Sequence, residues 1–579
     1  MDNQRLIVWA TFGLLVWITY QTWVEDYGPK PTQEPAPASE AAPELPPDDV
    51  DLPALPEVAP TAADEAPALP QTDVATATAV ADVVRITTDV LELELGLQGG
   101  TLQRALVLDY PVEKDRPDQP VELLSPAQSN LGLIQTGLRA AGDGDEPNHL
   151  ALFASTANEF ALDGADELVV SLTWSDGEGV TVEKTFRLTR GSYRIDVAQR
   201  VVNAAAADWR GASYTQIRRR SFERDRSMFD VDTYSFDGPI IYNGEKSEKL
   251  DRDDLLSDGP YTVSAQDGWV GSIQHHFLSA VVPPASEESR YSIAVRNNVA
   301  TSSVIGPARI VGPGSEHTFE TTLFVGPKLQ DQLEDVAESL KLTVDYGWLT
   351  IISQPLFWLL SLVFGFVGNW GWAIVVVTVL IKLAFYKLTE ASGRSMAKMR
   401  EIQPRMKAIQ DRYKDDRQAQ SQAMMELYKR EKVNPAAGCL PILIQMPFFL
   451  AFYWVLLESV EMRQAPFALW ITDLSSRDPY FILPLIMGAA MLFQQKLNPA
   501  PADPVQARVM QVMPVIFTVF FAFFPSGLVL YWVTNTLLSI AQQWYINKVV
   551  HEEAAARKGQ KRKDDKTKDD KKKERKKDE

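Results

Sequence analysis

The segment Trp370-Gly-Trp-Ala-Ile-Val-Val-Val-Thr-Val-Leu-Ile-Lys-Leu-Ala-Phe-Tyr386 is apolar almost throughout, with a single cation, Lys382, set inside it. Its length suits a membrane-spanning helix. A lysine near the bilayer midplane costs roughly 2.5–3.5 kcal/mol on insertion scales, so Lys382 asks for an explanation. One reading is snorkelling. Twelve residues past Trp370 is about 18 Å along a helix axis, near enough for a long side chain to reach headgroups. The other reading is a charge held in a wet cavity, with Thr378 one turn earlier, Gln445 and Tyr531 as polar neighbours on other apolar runs.

Further apolar runs cover Cys439–Leu457, Tyr480–Phe493, Val509–Phe524 and Leu528–Ile546. Another, Leu6–Trp23, follows Arg5 and lacks a small-residue cleavage site, which favours an uncleaved anchor over a signal peptide. Together these predict six spans. Tyr480–Phe493 and Val509–Phe524 are short for about 30 Å of hydrocarbon, which implies re-entrant packing or a locally thinned bilayer. Trp348–Val367 is also apolar but is interrupted by Pro355, Gly365 and serines. It is placed along the interface because the segment after it spans better. Trp348, Trp370, Trp372, Trp470 and Trp544 fall near run ends, as an aromatic belt requires.

Charge sets the orientation. The whole chain carries −19, yet residues 387–436 contain 12 Lys/Arg against 7 Asp/Glu, and residues 548–579 contain 14 against 9. The positive-inside rule puts both basic stretches, and both termini, in the cytoplasm. The acidic remainder lies outside. Residues 29–82, rich in Pro, Ala, Asp and Glu, cannot bury enough apolar surface to fold and form a linker. From Val83 the pattern changes to period two, as in Val90-Leu-Glu-Leu-Glu-Leu95 before Gly99-Gly100. Leu168–Ser175, Val180–Leu188 and Tyr193–Val202 make a meander with glycine turns, and the whole of 83–327 reads as a β-sandwich. The predicted domains are 1–28 (anchor), 29–82 (linker), 83–327 (β-domain), 328–368 (interfacial helices), 369–387 (second span), 388–436 (hairpin), 437–547 (four spans) and 548–579 (tail).

Between the spans, Met399, Ile402, Met406, Ile409 and Tyr413 are spaced 3, 4, 3, 4. That is a short heptad seam, and Ala423, Met424, Leu427 and Tyr428 form a returning one after Asp415-Asp416. A hairpin whose seams satisfy each other explains them. A surface for partners at Met399, Met406, Tyr413 and Met424 is the second reading, because methionines adapt to varied ligands. The basic tail is either simply solvated or a contact for RNA or anionic lipid.

One cysteine, Cys439, excludes a disulfide framework, and with five histidines a structural zinc site is not expected. Glu287-Glu288 and His275-His276 are isolated pairs, and no phosphate loop or nucleophile elbow is present. The sequence predicts neither an enzyme nor a cofactor.

Residues 394–399 (Arg-Ser-Met-Ala-Lys-Met), 433–447 (Val-Asn-Pro-Ala-Ala-Gly-Cys-Leu-Pro-Ile-Leu-Ile-Gln-Met-Pro), 463–470 (Arg-Gln-Ala-Pro-Phe-Ala-Leu-Trp) and 513–531 (Met-Pro-Val-Ile-Phe to Phe-Pro-Ser-Gly-Leu-Val-Leu-Tyr) resemble the YidC/Oxa/Alb family of membrane insertases. The resemblance is strong over about 345–550. The N-terminal part is similar to the Gram-negative form, with its periplasmic β-supersandwich. It implies a polytopic α-helical membrane bundle of six spans, five of them forming the insertase core, in the bacterial inner membrane. It also implies a groove open to cytoplasm and lipid, carrying Lys382 where the family has arginine and lined by Thr378, Gln445, Phe449, Tyr531 and Trp532. Lys387 stands where the family carries a helix-breaking proline. The partners implied are nascent membrane proteins, lipids, the Sec translocon (SecYEG, SecDF), and the ribosome and signal recognition pathway through the hairpin and tail, with no small-molecule substrate. Two other readings stay open: a transporter, which would show internal repeats, and a mutarotase-like sugar-processing protein, which rests on fold analogy alone.

Overall fold

A computed structural model describes residues 83–141, 145–221, 235–414, 416–431, 433, 440–497 and 504–575. The expected anchor and acidic linker lie outside them. Period-two alternation becomes strand where expected. In Leu91–Gly96 the leucines are buried and the intervening glutamates half-buried. The chain then turns at Gly99 and Gly100, both with positive φ. A Cβ on Gly99 would sit 2.3 Å from the His149 carbonyl oxygen, so only glycine fits that turn. The predicted meander is Glu167–Ser175, Val180–Thr189 and Arg194–Asn203, paired antiparallel in sequence.

Among the described residues the strands form one 11-stranded and one 9-stranded sheet. Trp269, Tyr193, Phe186 and Phe324 are among the large side chains fully buried in the domain. This is the two-sheet sandwich the alternation predicted, with a short helix, α1 (Arg252–Ser257), capped by the Asp251 carboxylate.

The helical part begins with α2 (Gln330–Val336) and α3 (Thr350–Val367). Gly368, with positive φ, closes α3. The side chain of Asn369 then caps α4 (Trp370–Ala384) and also donates to the Pro466 and Phe467 carbonyls, tying the turn to a distant loop. The chain bends by 69° between α4 and α5 (Tyr386–Arg412). The break falls at Phe385 without the family's proline, so Lys387 does not prevent it.

The turn after α5 leads to α6 (Arg417–Glu431), whose first turn is capped by Asp416. Then follow α7 (Leu440–Glu458), α8 (Ile482–Leu497), α9 (Pro504–Phe521) and α10 (Ser526–Arg575). Helix α8 starts later than its apolar run because the Asp478 carboxylate accepts from the Tyr480 and Leu483 backbones and holds the entry as a loop. Helix α10 carries on through the basic tail to Arg575.

By length and apolarity alone, Gly347–Val367 is the one described helix able to cross a bilayer, and α4 with α5 qualifies only as a bent pair. This departs from the ranking expected of the two segments. The environment of α3 supplies a second criterion. Ser353, Leu356 and Leu360 are buried, and Ser353 donates to the Ala451 carbonyl of α7. Gln354, Phe357, Trp358 and Ser361 face a cleft shared with the β-domain. Ile351 and Phe366 are largely exposed. Helix α3 therefore lies between the sandwich and the other helices.

Candidate functional site

Helix α4 presents Lys382 to α10. The lysine is 9% exposed, and its Nζ donates to Ser539 Oγ at 2.8 Å. Ser539 in turn donates to the Asn535 carbonyl. Among the described residues no carboxylate pairs with Lys382. The amine is thus held by a neutral hydroxyl between two helices. Thr378, one turn before it, is 1% exposed and donates to the Ile374 carbonyl of its own helix. That bond uses up its proton, so Thr378 has only an acceptor left for another group.

The remaining predicted residues divide into two sets. Phe449 of α7 stacks with Tyr531 of α10 at 6.1 Å and meets Trp532 edge-on at 4.3 Å. Phe452 stacks on Tyr531 at 4.6 Å, and Phe521 of α9 lies 5.3 Å from Trp532. Three helices therefore share one aromatic cluster. Gln445 is half-buried one turn before Phe449. Ser539 follows Tyr531 by eight residues, about 12 Å along α10, so cation and aromatics occupy two levels of one helix.

Sequence reading missed Ser539, Phe452 and Phe521. A signal for Ser539 was present. Asn535, Ser539 and Gln542 recur every three to four residues inside the last apolar run and mark a polar stripe on α10. Gln542 donates to Thr389 of α5, and Arg394 bridges Glu390 and Glu553. The stripe thus also fastens α5 to α10.

The hairpin resolves the other candidates. Ile402, Met406, Leu427 and Val433 are buried together, with Met399, Ile409, Met424 and Tyr428 packed on them. Met406, Met399 and Met424 are therefore the hairpin's own core, and the partner surface expected there is not formed by them. Tyr413 ends α5 half-buried, beside the Arg412 guanidinium. Met425, on the outer side, is 41% exposed.

A β-sandwich joined to apolar helices, which hold between them an aromatic cluster and a buried lysine with no acid beside it among the described residues, is a combination suited to an integral membrane protein. The profile described as "60Kd inner membrane protein" matches residues 362–553, and that of the "YidC periplasmic domain" matches residues 83–359. "Membrane protein insertase YidC" of Methylococcus capsulatus is 47% identical over 562 residues, covering 96% of this chain and all of that protein. Its namesake from Thioalkalivibrio sulfidiphilus is 47% identical over 571 residues, with the same coverage. A solved structure of an active YidC insertase aligns with 80% of this chain and 94% of its own, at 20% identity and a TM-score of 0.36. The chain belongs to the YidC family of membrane protein insertases of the inner membrane. The family's work is insertion, not catalysis, and the transporter and sugar-processing readings fall away.

Proposed function

We propose that this chain inserts and folds client membrane proteins through a groove between α4, α7, α9 and α10, with Lys382 as its electrostatic attractor. The observation that carries the reading is the buried amine of Lys382, bonded to Ser539 and, among the described residues, to no acid. A carboxylate partner would cancel the field. A hydroxyl leaves the full charge available to an acidic residue in a client's short outer tail. The aromatic cluster of Phe449, Tyr531 and Trp532, together with Thr378 and Gln445, lines the path beyond it. The client's apolar segment then partitions into lipid, which supplies the driving force without a nucleotide.

The topology proposed has six spans and cytoplasmic termini, with the β-domain in the periplasm. Helix α3 lies at the interface in this scheme, because hydrocarbon cannot occupy the side that faces the acidic cleft of the sandwich. The Sec translocon acts beside it. The ribosome and signal recognition pathway meet the hairpin's outer face and the basic tail.

The test is a substitution series at Lys382, read by protease protection on two clients that differ only in tail charge. Lys382→Arg should retain insertion, Lys382→Gln should impair it, and Lys382→Glu should impair it most, because like charges repel strongly in a low-dielectric site. The acidic-tailed client should fail first. Equal insertion of both clients by the Glu variant, at normal protein levels, would sink the groove-charge mechanism.

A further inference from the structure

A cleft of about 1020 Å³ opens where the sandwich meets α2 and α3. Its floor is apolar. Phe357 and Trp358 of α3 and Leu342 line it, and Trp358 and Leu342 are 66% and 41% exposed. Its rim is acidic, with Asp267, Glu320, Asp331 and Glu338. Glu334 also lines the cleft but is bonded to Lys341. The four rim carboxylates have no cationic partner among the described residues. Elsewhere on the sandwich, Glu94, Glu122, Glu183, Glu316 and Glu287 each pair with an arginine. The cleft thus combines four acids that have no cationic partner among the described residues with an exposed Trp358.

We propose that this cleft docks a cationic amphipathic segment of a partner protein at the outer face of the membrane. Apolar side chains of such a segment would cover Leu342. Its lysine and arginine stems would lie over Trp358, with their charges at the rim. Three facts favour a peptide over a smaller ligand. The volume is at the upper end of small-molecule pockets. The carboxylates are spread along the rim, and no three acidic or other ligating side chains among the described residues are grouped to hold a metal ion. A groove with an apolar floor and charged walls is the geometry that receives an amphipathic helix. Outer loops of membrane proteins are generally poor in Lys and Arg. The occupant is therefore a dedicated partner rather than clients at large, and the cleft is separate from the groove at Lys382.

The probe is an 18-residue fluorescein-labelled Leu/Lys peptide of helical period, titrated onto the full-length protein in phosphatidylcholine nanodiscs. Anisotropy should show saturable, salt-sensitive binding. It should weaken at least tenfold in Glu320→Lys/Glu338→Lys and several-fold in Trp358→Ala. A control, Glu159→Lys/Glu178→Lys, makes the same charge change at exposed positions that do not line the cleft and should bind as the unchanged protein does. A Leu/Glu peptide should not bind. Equal loss in the control variant would mean diffuse attraction to an acidic domain. Binding to empty nanodiscs would mean lipid, and unchanged binding in Glu320→Lys/Glu338→Lys would mean another surface. Any of these overturns the proposal. Client insertion by both charge variants should stay at the normal level.

Discussion

Three lysines are buried among the described residues, and their surroundings give them different tasks. Lys382 sits among apolar helices on one hydroxyl. Lys184 is fully buried in the sandwich, on the 9-stranded sheet, and donates to the Gly99 and Thr136 carbonyls of the opposite sheet at 2.6 and 2.8 Å. Its Nζ also lies 4.7 Å from the centre of the Phe153 ring. Burial pushes its pKa down to about 7. In the unfolded chain a lysine titrates near 10.4. Below pH 7 both states hold the proton and the whole cost of burying the charge is present. Between pH 7 and about 10.4 the unfolded state binds a proton that the folded state lacks, so stability rises with pH. Denaturant unfolding of the sandwich should show that rise from pH 7 to 9.5, and Lys184→Met should flatten it. A slope that survives the substitution would assign the effect to other groups. Sequence reading singled out Lys382, because a charge is conspicuous inside an apolar run. It passed over Lys184 although a signal was present: Val180, Val182, Lys184, Phe186 and Leu188 share one parity of the strand, which puts the lysine on the inward face.

The helices meet the sandwich through a charge pair that no local pattern announces. Lys328, fully buried at the end of the last strand, lies 3.5 Å from Glu458 at the end of α7, and 3.4 Å from the Thr343 carbonyl. Burial holds the Lys328 pKa down even with Glu458 beside it. Removing one partner leaves the other buried and uncompensated, at a typical cost of about 3–5 kcal/mol. Glu458→Gln should therefore lower the melting temperature of the purified protein markedly. Lys328→Met/Glu458→Leu should recover most of the loss, since paired apolar replacements are often neutral. A double variant as unstable as the single one would show that packing, not charge, holds the joint. The cap at Asn369 is a smaller device of the same kind. Asn369→Ala should cost about 1–2 kcal/mol, because it loses the Trp372 cap and two bonds to the Pro466–Phe467 loop. A melting curve that does not move in Asn369→Ala would mean that water replaces the cap.

At the scale of the molecule, the sandwich and the helices share a seam besides Lys328. Lys114 donates to the Gln464 and Thr472 carbonyls, and Arg463 and Gln464 donate back to the Pro111 carbonyl. Deleting residues 90–320 removes that seam but keeps Lys328, Glu458 and the groove residues. The deletion should complement depletion of the native insertase while the remaining helices melt at a lower temperature. A null phenotype from a stably expressed deletion would give the sandwich a direct part in insertion. The topology has its own check. Cysteines introduced at Arg412 and Gln418, both exposed at the hairpin turn, should label from the cytoplasmic side alone. Labelling from outside would invert the arrangement.

The sequence alone determined what depends on neighbours along the chain. Period-two runs became strands and the 3–4 seam became a hairpin, because each is set by local spacing. Tertiary structure alone decided what depends on residues far apart. Ser539 meets Lys382 across 157 positions and Glu458 meets Lys328 across 130, and neither pairing leaves a trace in local composition. The seam methionines could have faced a partner or each other. The return of α6 against α5 turned them inward, since two short amphipathic helices bury apolar area most readily on one another. Helix α3 is apolar enough to span, and only the acidic cleft on one of its sides shows that part of its surface belongs to water.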